Sequence, residues 1–130
     1  MAHYTTDMIA KYINALDAVA DFSDSDLDSA PILSNYAIVE IPSGRILMLG
    51  EVQNHPILGS TLISTSDLVY VDAAAAAART VSRWYRLGTR DTADAGDLVI
   101  AGWMRGRVIA DSKLQKMLAD RAQEFRQLMN

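Results

Sequence analysis

The sequence lacks cysteine altogether and contains only two histidines among its 130 residues. Without cysteine, neither a disulfide framework nor cysteine-ligated zinc can form. No basic segment precedes a short apolar core, as in a signal peptide, and no run approaches the roughly 20 apolar residues that span a bilayer. We therefore expect a cytoplasmic protein without membrane contact, and 130 residues are enough to bury a core within a single domain, 1–130.

Sequence signatures of catalysis are also scarce. The phosphate-binding patterns GxxxxGKS/T and GxGxxG and the zinc-protease pattern HExxH do not occur. A base beside a nucleophile is suggested only by His55 together with the hydroxyls of residues 64–66, and a small hydrolase around His55 is therefore one alternative. We expect a protein that is not an enzyme and has no cofactor.

The acidic segment 21–31 contains alternating carboxylates at Asp24, Asp26 and Asp28. This is the spacing of the first half of a calcium-binding loop, but Ser29 and Asn35 stand where such a loop needs glycine and glutamate. We expect no metal site, and the segment is interpreted as a solvated linker.

Charge is unevenly distributed along the chain. The formal net charge is −4, residues 1–31 contribute six aspartates against one lysine, and residues 79–107 contribute six arginines against three aspartates. An acidic protein does not attract nucleic acid non-specifically, but a local basic surface remains.

Residues 45–88 contain 10 of the 25 valine, isoleucine and threonine residues of the chain and predict the central sheet. Strands are predicted at Tyr36–Ile41 and Arg45–Val52, joined by the turn Pro42-Ser43-Gly44, where proline fixes φ and glycine accepts a positive φ. A third run, Leu62–Val71, has no cleanly apolar face, which indicates a bend near Thr65-Ser66.

Two later segments are ambiguous. Residues 72–87 fit either a helix begun by the alanines at 73–78 or a strand with period two from Arg79 to Leu87. Residues 97–107 allow a strand, but Gly102 would interrupt it, so a short helix is favoured.

Amphipathic helices are predicted at both ends of the chain. One begins near Asp7, is capped by Thr5 or Thr6 and extends to about Ala20, and the other follows a cap at Ser112. The fold class is therefore α+β: a small antiparallel sheet of about four strands, with a barrel-like curl as one arrangement, flanked by N- and C-terminal amphipathic helices.

Part of the chain resembles a known family. The segments His55-Pro56-x-Leu58, Thr65-Ser66-x-Leu68-Val69-x-x-Asp72 and Ala78-Arg79-Thr80-x-Ser82-Arg83-Trp84-Tyr85-Arg86-Leu87-Gly88 are similar to the DUF6634-like proteins, a family of uncharacterised domains of proteobacteria and their phages. The resemblance spans about residues 47–88. It implies no activity, and therefore assigns no catalytic residues.

Two sets of residues are candidates for partner binding. The acidic set is Asp24, Asp26 and Asp28, whose carboxylates resemble a phosphate backbone. The basic set alternates guanidinium groups with an aromatic ring, which is typical of nucleic-acid contacts, and consists of Arg79, Arg83, Trp84, Arg86 and Arg90. Trp103, followed by Arg105 and Arg107, would extend the basic set.

These observations predict a non-enzymatic binding or inhibitor protein that acts by protein–protein contact. Because the resemblance includes phage sequences, an anti-defence role of the anti-CRISPR type, against a host nuclease complex, is one version. The first alternative is a nucleic-acid-binding accessory domain that uses the arginine and aromatic residues at 79–90. Two amphipathic helices on one small sheet also favour a homodimer.

Overall fold

The computed structural model describes residues 4–57, 59–101 and 104–129. Helix α1 spans Thr6–Ala20 and a single 3₁₀ turn spans Asp24–Leu27. Helix α2 spans Asp111–Leu128 and follows the last strand. The strands are β1 Ile32–Glu40, β2 Ile46–His55, β3 Gly59–Ser64, β4 Leu68–Asp72, β5 Ala77–Thr80, β6 Trp84–Leu87, β7 Leu98–Ala101 and β8 Met104–Val108.

Both terminal helices form as the sequence predicts. Thr5 caps α1, because its Oγ1 accepts a hydrogen bond from the Met8 amide at 3.1 Å. The N-cap of α2 is Ala110, so the cap predicted at Ser112 is wrong. The helices contact each other through Tyr12 of α1 and Phe125 of α2, whose stacked rings have centroids 3.9 Å apart.

The sheet is larger than predicted: the described residues form eight strands instead of about four, and these strands do not close into a barrel. Its main path runs β3-β2-β1-β6-β5-β4, and β8 also pairs with β1 while β7 pairs with β8. The β1–β2 pair is the predicted hairpin, with Gly44 at φ 90° in its turn. The strand count differs because the run 62–71 is divided into β3 and β4, and because the two ambiguous segments, 72–87 and 97–107, each form two strands.

Strand β1 divides the sheet into two parts. Its first residues, Ile32 and Leu33, pair in parallel with β6, whereas Val39 and Glu40 pair with β8 on the same side. Between these halves Asn35 has φ 48° and the register with β2 shifts. This irregularity allows the two halves of β1 to pair, along the same edge, with strands of two different hairpins.

Residues 72–87 form a turn followed by strands β5 and β6, so the alternative of a helix driven by alanine is wrong. Ala73–Ala76 form a turn in which Ala76 has φ 51°, and Ala77 and Ala78 are fully buried in β5. Alanine favours a helix over other common residues by only about 0.5 kcal/mol per position. Burial of β5 between β4 and β6 outweighs that preference.

The helix predicted for residues 97–107 is also wrong, since this segment forms the β7–β8 hairpin. The backbone of β8 continues the sheet at β1, which no local pattern specifies. Within 62–71, the predicted bend is present, because the structure divides the run into β3 and β4 around Thr65–Asp67.

Each face of the sheet has its own apolar core. On one face, α2 covers a cluster that includes Ile38, Met48, Leu68, Leu114 and Leu118. On the other face, Ala37, Val39, Leu47, Leu49 and Val108 pack together, with Val99 of β7 against them. The β7–β8 hairpin is therefore fixed to the sheet by its inner side. No helix among the described residues is long and apolar enough to cross a membrane.

Candidate functional site

The acidic segment forms the 3₁₀ turn after α1. Asp26 is used internally, because its Oδ2 accepts a hydrogen bond from the Ser23 amide at 2.9 Å and completes a capping box. All three predicted aspartates are exposed, and Asp24 and Asp28 form no ion pair with a described residue.

Most of the predicted basic set holds the fold together. Arg79 donates from Nε to the Thr80 carbonyl at 2.9 Å, and Arg86 donates from Nε to the Ala30 carbonyl at 3.0 Å. Arg90 forms a 2.7 Å ion pair with Asp111 at the start of α2. Three of the four predicted guanidinium groups therefore already have partners in the chain.

Trp84 is a core residue, with 8% of its surface exposed. Its ring packs against Phe22 at 4.6 Å and meets the edge of Tyr70 at 6.2 Å between centroids. The Arg79 guanidinium lies 5.8 Å from its centroid. Most of the Trp84 surface is therefore covered by the protein itself, and the stacking role predicted for this ring stays a prediction.

A shallow recess of about 310 Å³ brings members of the two predicted sets together. Asp26 lines it beside Arg79, Arg83 and Trp84. Burial lowers the pKa of the Arg79 guanidinium, and the nearby Asp26 carboxylate opposes part of that change. The acidic and basic candidates, far apart in sequence, thus partly neutralise each other. Arg83 is half-buried and forms no ion pair with a described residue.

The proposed hydrolase pair does not assemble. His55 is the last residue of β2, and its Nδ1 accepts a hydrogen bond from the Ile57 amide at 3.1 Å. Ser64 of β3 pairs with Leu49, which lies six residues before His55 in β2. Six strand residues correspond to about 20 Å. Burial lowers the pKa of His55, and the positive charge of Arg83 lowers it further. His55 is thus a buried residue at the opposite end of the β2–β3 hairpin from the predicted hydroxyls.

A further surface lies on the β7–β8 hairpin, and the sequence analysis named only its two arginines, Arg105 and Arg107, as an extension of the basic set. Leu98 and Ile100 are 50% and 65% exposed, although the neighbouring Val99 packs on the core. Leu98 lies opposite Arg107 and Ile100 opposite Arg105, and both arginines are exposed. We call Leu98, Ile100, Arg105 and Arg107 the hairpin face.

A groove of about 570 Å³ adjoins the hairpin face. It runs between Leu98, Arg105 and Arg107 on one side and Glu40, Ile41 and Pro42 on the other. The alternation of Leu98 with Ile100 and of Arg105 with Arg107 is the sequence signal of a two-stranded ribbon. This alternation was not used in the sequence analysis, because a helix was favoured for residues 97–107. Trp103, which was predicted to extend the basic set, lies outside the described residues.

Within the described parts of the chain, no group of three or more histidine, cysteine or acidic side chains is placed to hold a metal ion. The recess and the groove are both open to solvent and each combines charged with apolar side chains.

Comparison with known proteins identifies the family. No curated protein and no solved structure matches the chain. A family model described as a family of unknown function (DUF6634) matches residues 3–124, which extends the sequence resemblance from the middle of the chain to nearly all of it. The chain therefore belongs to the DUF6634 family.

Proposed function

We propose that this protein is a non-catalytic binding module that contacts a partner protein through the hairpin face. One observation supports this proposal most directly. The outer side of β7 exposes Leu98 and Ile100, whereas the inner side of the same hairpin is packed against the sheet. Apolar side chains held outward on a fixed backbone are typical of the centre of a protein interface.

The energetics fit a contact of this kind. Full burial of a leucine or isoleucine side chain stabilises a complex by up to about 2 kcal/mol. Leu98 and Ile100 each have half or more of their surface exposed to solvent, and a partner can therefore bury it. The hairpin face alone is smaller than the roughly 1,200–2,000 Å² that a stable interface buries. It would therefore form the centre of a contact that continues over the groove beside Ile41 and Pro42.

The test is affinity capture from nuclease-treated lysate, comparing the wild-type protein with Leu98→Glu/Ile100→Glu. A matched control is Ile57→Glu/Leu128→Glu, which also adds two glutamates at exposed apolar positions, at the end of the β2–β3 hairpin and at the end of α2. We expect the wild-type protein to capture defined proteins, the control variant to capture the same proteins, and Leu98→Glu/Ile100→Glu to lose them. Both variants should unfold within about 0.5 kcal/mol of the wild type, because surface substitutions rarely cost more.

Equal capture by the two double variants would contradict the role of the hairpin face. Nucleic acid recovered at low salt from untreated lysate, with no protein retained after nuclease, would instead favour the nucleic-acid alternative.

The anti-defence version of this function is a more specific proposal, in which the partner is a host nuclease complex. It is supported by the exposure of Asp24 and Asp28, which form no ion pair with a described residue and therefore remain free to imitate phosphates. Asp24→Lys/Asp28→Lys tests it without disturbing the cap at Asp26. If inhibition of a nuclease complex by this variant equals that by the wild type, charge mimicry by these residues is wrong.

A further inference from the structure

We infer that the hairpin face binds an acidic peptide segment that also has apolar side chains. This inference rests on the proposed function and specifies its partner. It follows from how the hairpin alternates its side chains, from the unused hydrogen-bond donors of its arginines, and from the composition of the adjoining groove.

The register of the hairpin puts charge beside apolar surface. Leu98 is the cross-strand neighbour of Arg107, and Ile100 is that of Arg105. Directly opposed residues of an antiparallel pair point to the same side, with Cβ atoms about 5 Å apart. Gly106 and Val108 lie on the inner side, where a Cβ added at Gly106 would come within 2.6 Å of Val39. The outer side therefore presents two apolar side chains, each beside a guanidinium group.

The donors of these two arginines are largely unused. Arg107 donates from one terminal nitrogen to the Gly96 carbonyl at 3.2 Å, and Arg105 makes no ion pair or side-chain hydrogen bond with a described residue. A guanidinium group has five N–H donors in a planar fork that fits a carboxylate. Arg79, Arg86 and Arg90, in contrast, each have a protein acceptor.

The groove combines the same two properties. Leu98, Ile41 and Pro42 give it apolar walls, and Arg105 and Arg107 give it positive charge. Glu40 is the cross-strand neighbour of Arg107 and balances one of the two charges. A segment that places carboxylates over the arginines and apolar side chains along Leu98 and Ile100 complements this surface in both respects.

Two other occupants fit less well. A second copy of the chain, meeting face to face, would bring four arginines together, and like charges across an interface oppose association. The phosphates of a nucleic acid would pair with Arg105 and Arg107, but Leu98 and Ile100 would then have no apolar partners. A nucleic acid would also meet Glu40 and a chain of net charge −4.

The experiment measures binding of labelled synthetic peptides by fluorescence anisotropy. Three peptides of about eight residues, long enough to cross the groove, alternate leucine with glutamate, with serine or with lysine. We expect the glutamate peptide to bind roughly ten-fold more tightly than the serine peptide at low salt and to lose much of that advantage at high salt. The lysine peptide should bind least.

Charge reversal at the face provides the decisive comparison. Arg105→Glu/Arg107→Glu should invert the preference, so that the lysine peptide binds better than the glutamate peptide. Lys113→Glu/Arg126→Glu changes the net charge equally at exposed positions of α2 and should leave the preference unchanged. The inference is overturned if the two variants behave alike or if the wild type binds the three peptides equally.

The design separates this inference from the proposed function. If Leu98→Glu/Ile100→Glu abolishes capture of a protein but Arg105→Glu/Arg107→Glu does not, the proposed function is supported and the inference of an acidic partner is wrong. Tighter binding of a single-stranded oligonucleotide than of the glutamate peptide, sensitive to Arg105 and Arg107, would overturn the inference in favour of nucleic acid. A dimer in sedimentation that Leu98→Glu/Ile100→Glu converts to monomer would overturn it in favour of a second copy.

Discussion

The two arginine-rich parts of this chain, residues 79–90 and residues 105–107, differ in how many of their guanidinium groups have acceptors within the fold. In the first, Arg79 and Arg86 hydrogen-bond to backbone carbonyls and Arg90 pairs with Asp111. In the second, Arg105 and Arg107 are exposed beside two apolar side chains. Both parts have the composition of a binding surface, so composition alone does not show which guanidinium groups remain available. The availability of acceptors within the fold decides it.

The largest expected effect tests whether the first region is structural. Trp84→Ala removes a ring that packs against Phe22 and Tyr70, and we expect it to lower the free energy of unfolding by about 3–5 kcal/mol. Urea unfolding followed by circular dichroism measures this change. A variant as stable as the wild type would show that Trp84 is available for binding, and the contrast between the two regions would fail.

The attachment of the hairpin to the sheet should give the next largest effect. A Cβ at Gly106 would lie 2.6 Å from Val39 Cγ2 and 2.7 Å from Val39 Cβ, and Val39 is completely buried. Gly106→Ala should therefore cost about 1–3 kcal/mol in urea unfolding through overpacking.

Gly88→Ala is the control for this steric argument. The nearest atom to its added Cβ is Ser34 Oγ, which can rotate away. If Gly88→Ala destabilised the protein more than Gly106→Ala, tight packing of β8 against β1 would not be what fixes the hairpin.

An effect of about the same size is expected when one arginine of the first region is removed. Arg86→Ala deprives the carbonyl of the buried residue Ala30 of its guanidinium donor and should destabilise the protein by about 1–3 kcal/mol. Arg126→Ala, at an exposed position on α2, should change stability by less than about 0.5 kcal/mol. Chemical denaturation of both variants would sharpen the comparison, and equal costs would contradict a structural role for Arg86.

The smallest effect concerns pH. Burial and Arg83 lower the pKa of His55 below its ordinary value of 6.5, so the unfolded chain binds a proton more readily than the folded chain. The stability that neutral His55 provides is therefore present above pH 6.5 and is lost as pH falls through the pKa of the folded state. His55→Gln should flatten the fall in unfolding free energy just below pH 6.5. His3→Gln, which removes the other imidazole, is the control, and a flattening of the same size in both would contradict the assignment to His55.

Sequence reasoning predicted the elements whose signals are local. The Thr5 cap and the apolar spacing of Tyr12 with its neighbours define α1, and Gly44 turns the β1–β2 hairpin, where its amide donates to the Ile41 carbonyl at 2.8 Å. The bend near Thr65-Ser66 was also visible, because no straight strand would have given Leu62–Val71 a consistent apolar face. Such features depend on residues within four or five positions of one another.

The candidate site depended on contacts that no local pattern encodes. The acidic set and the basic set appeared as separate surfaces in the sequence, and only folding placed Asp26 beside Arg79 and Arg83. The sequence analysis named Arg105 and Arg107 but missed Leu98 and Ile100 beside them, because 97–107 matched a helix about as well as a strand. Four-residue strands such as β7 acquire their hydrogen bonds from β8, and β8 acquires its own from β1.

By itself, the sequence determined two amphipathic helices, one reliable hairpin, the absence of disulfides and an uneven charge. The tertiary structure decided that the alanine segment is a turn and a strand, that Trp84 is core, and that Arg105 and Arg107 lie exposed, with a single hydrogen bond from Arg107 to a described residue. The physical reason is that helix caps and turns form between near neighbours, whereas strand pairing, burial and the pairing of a charge depend on distant residues that folding brings together.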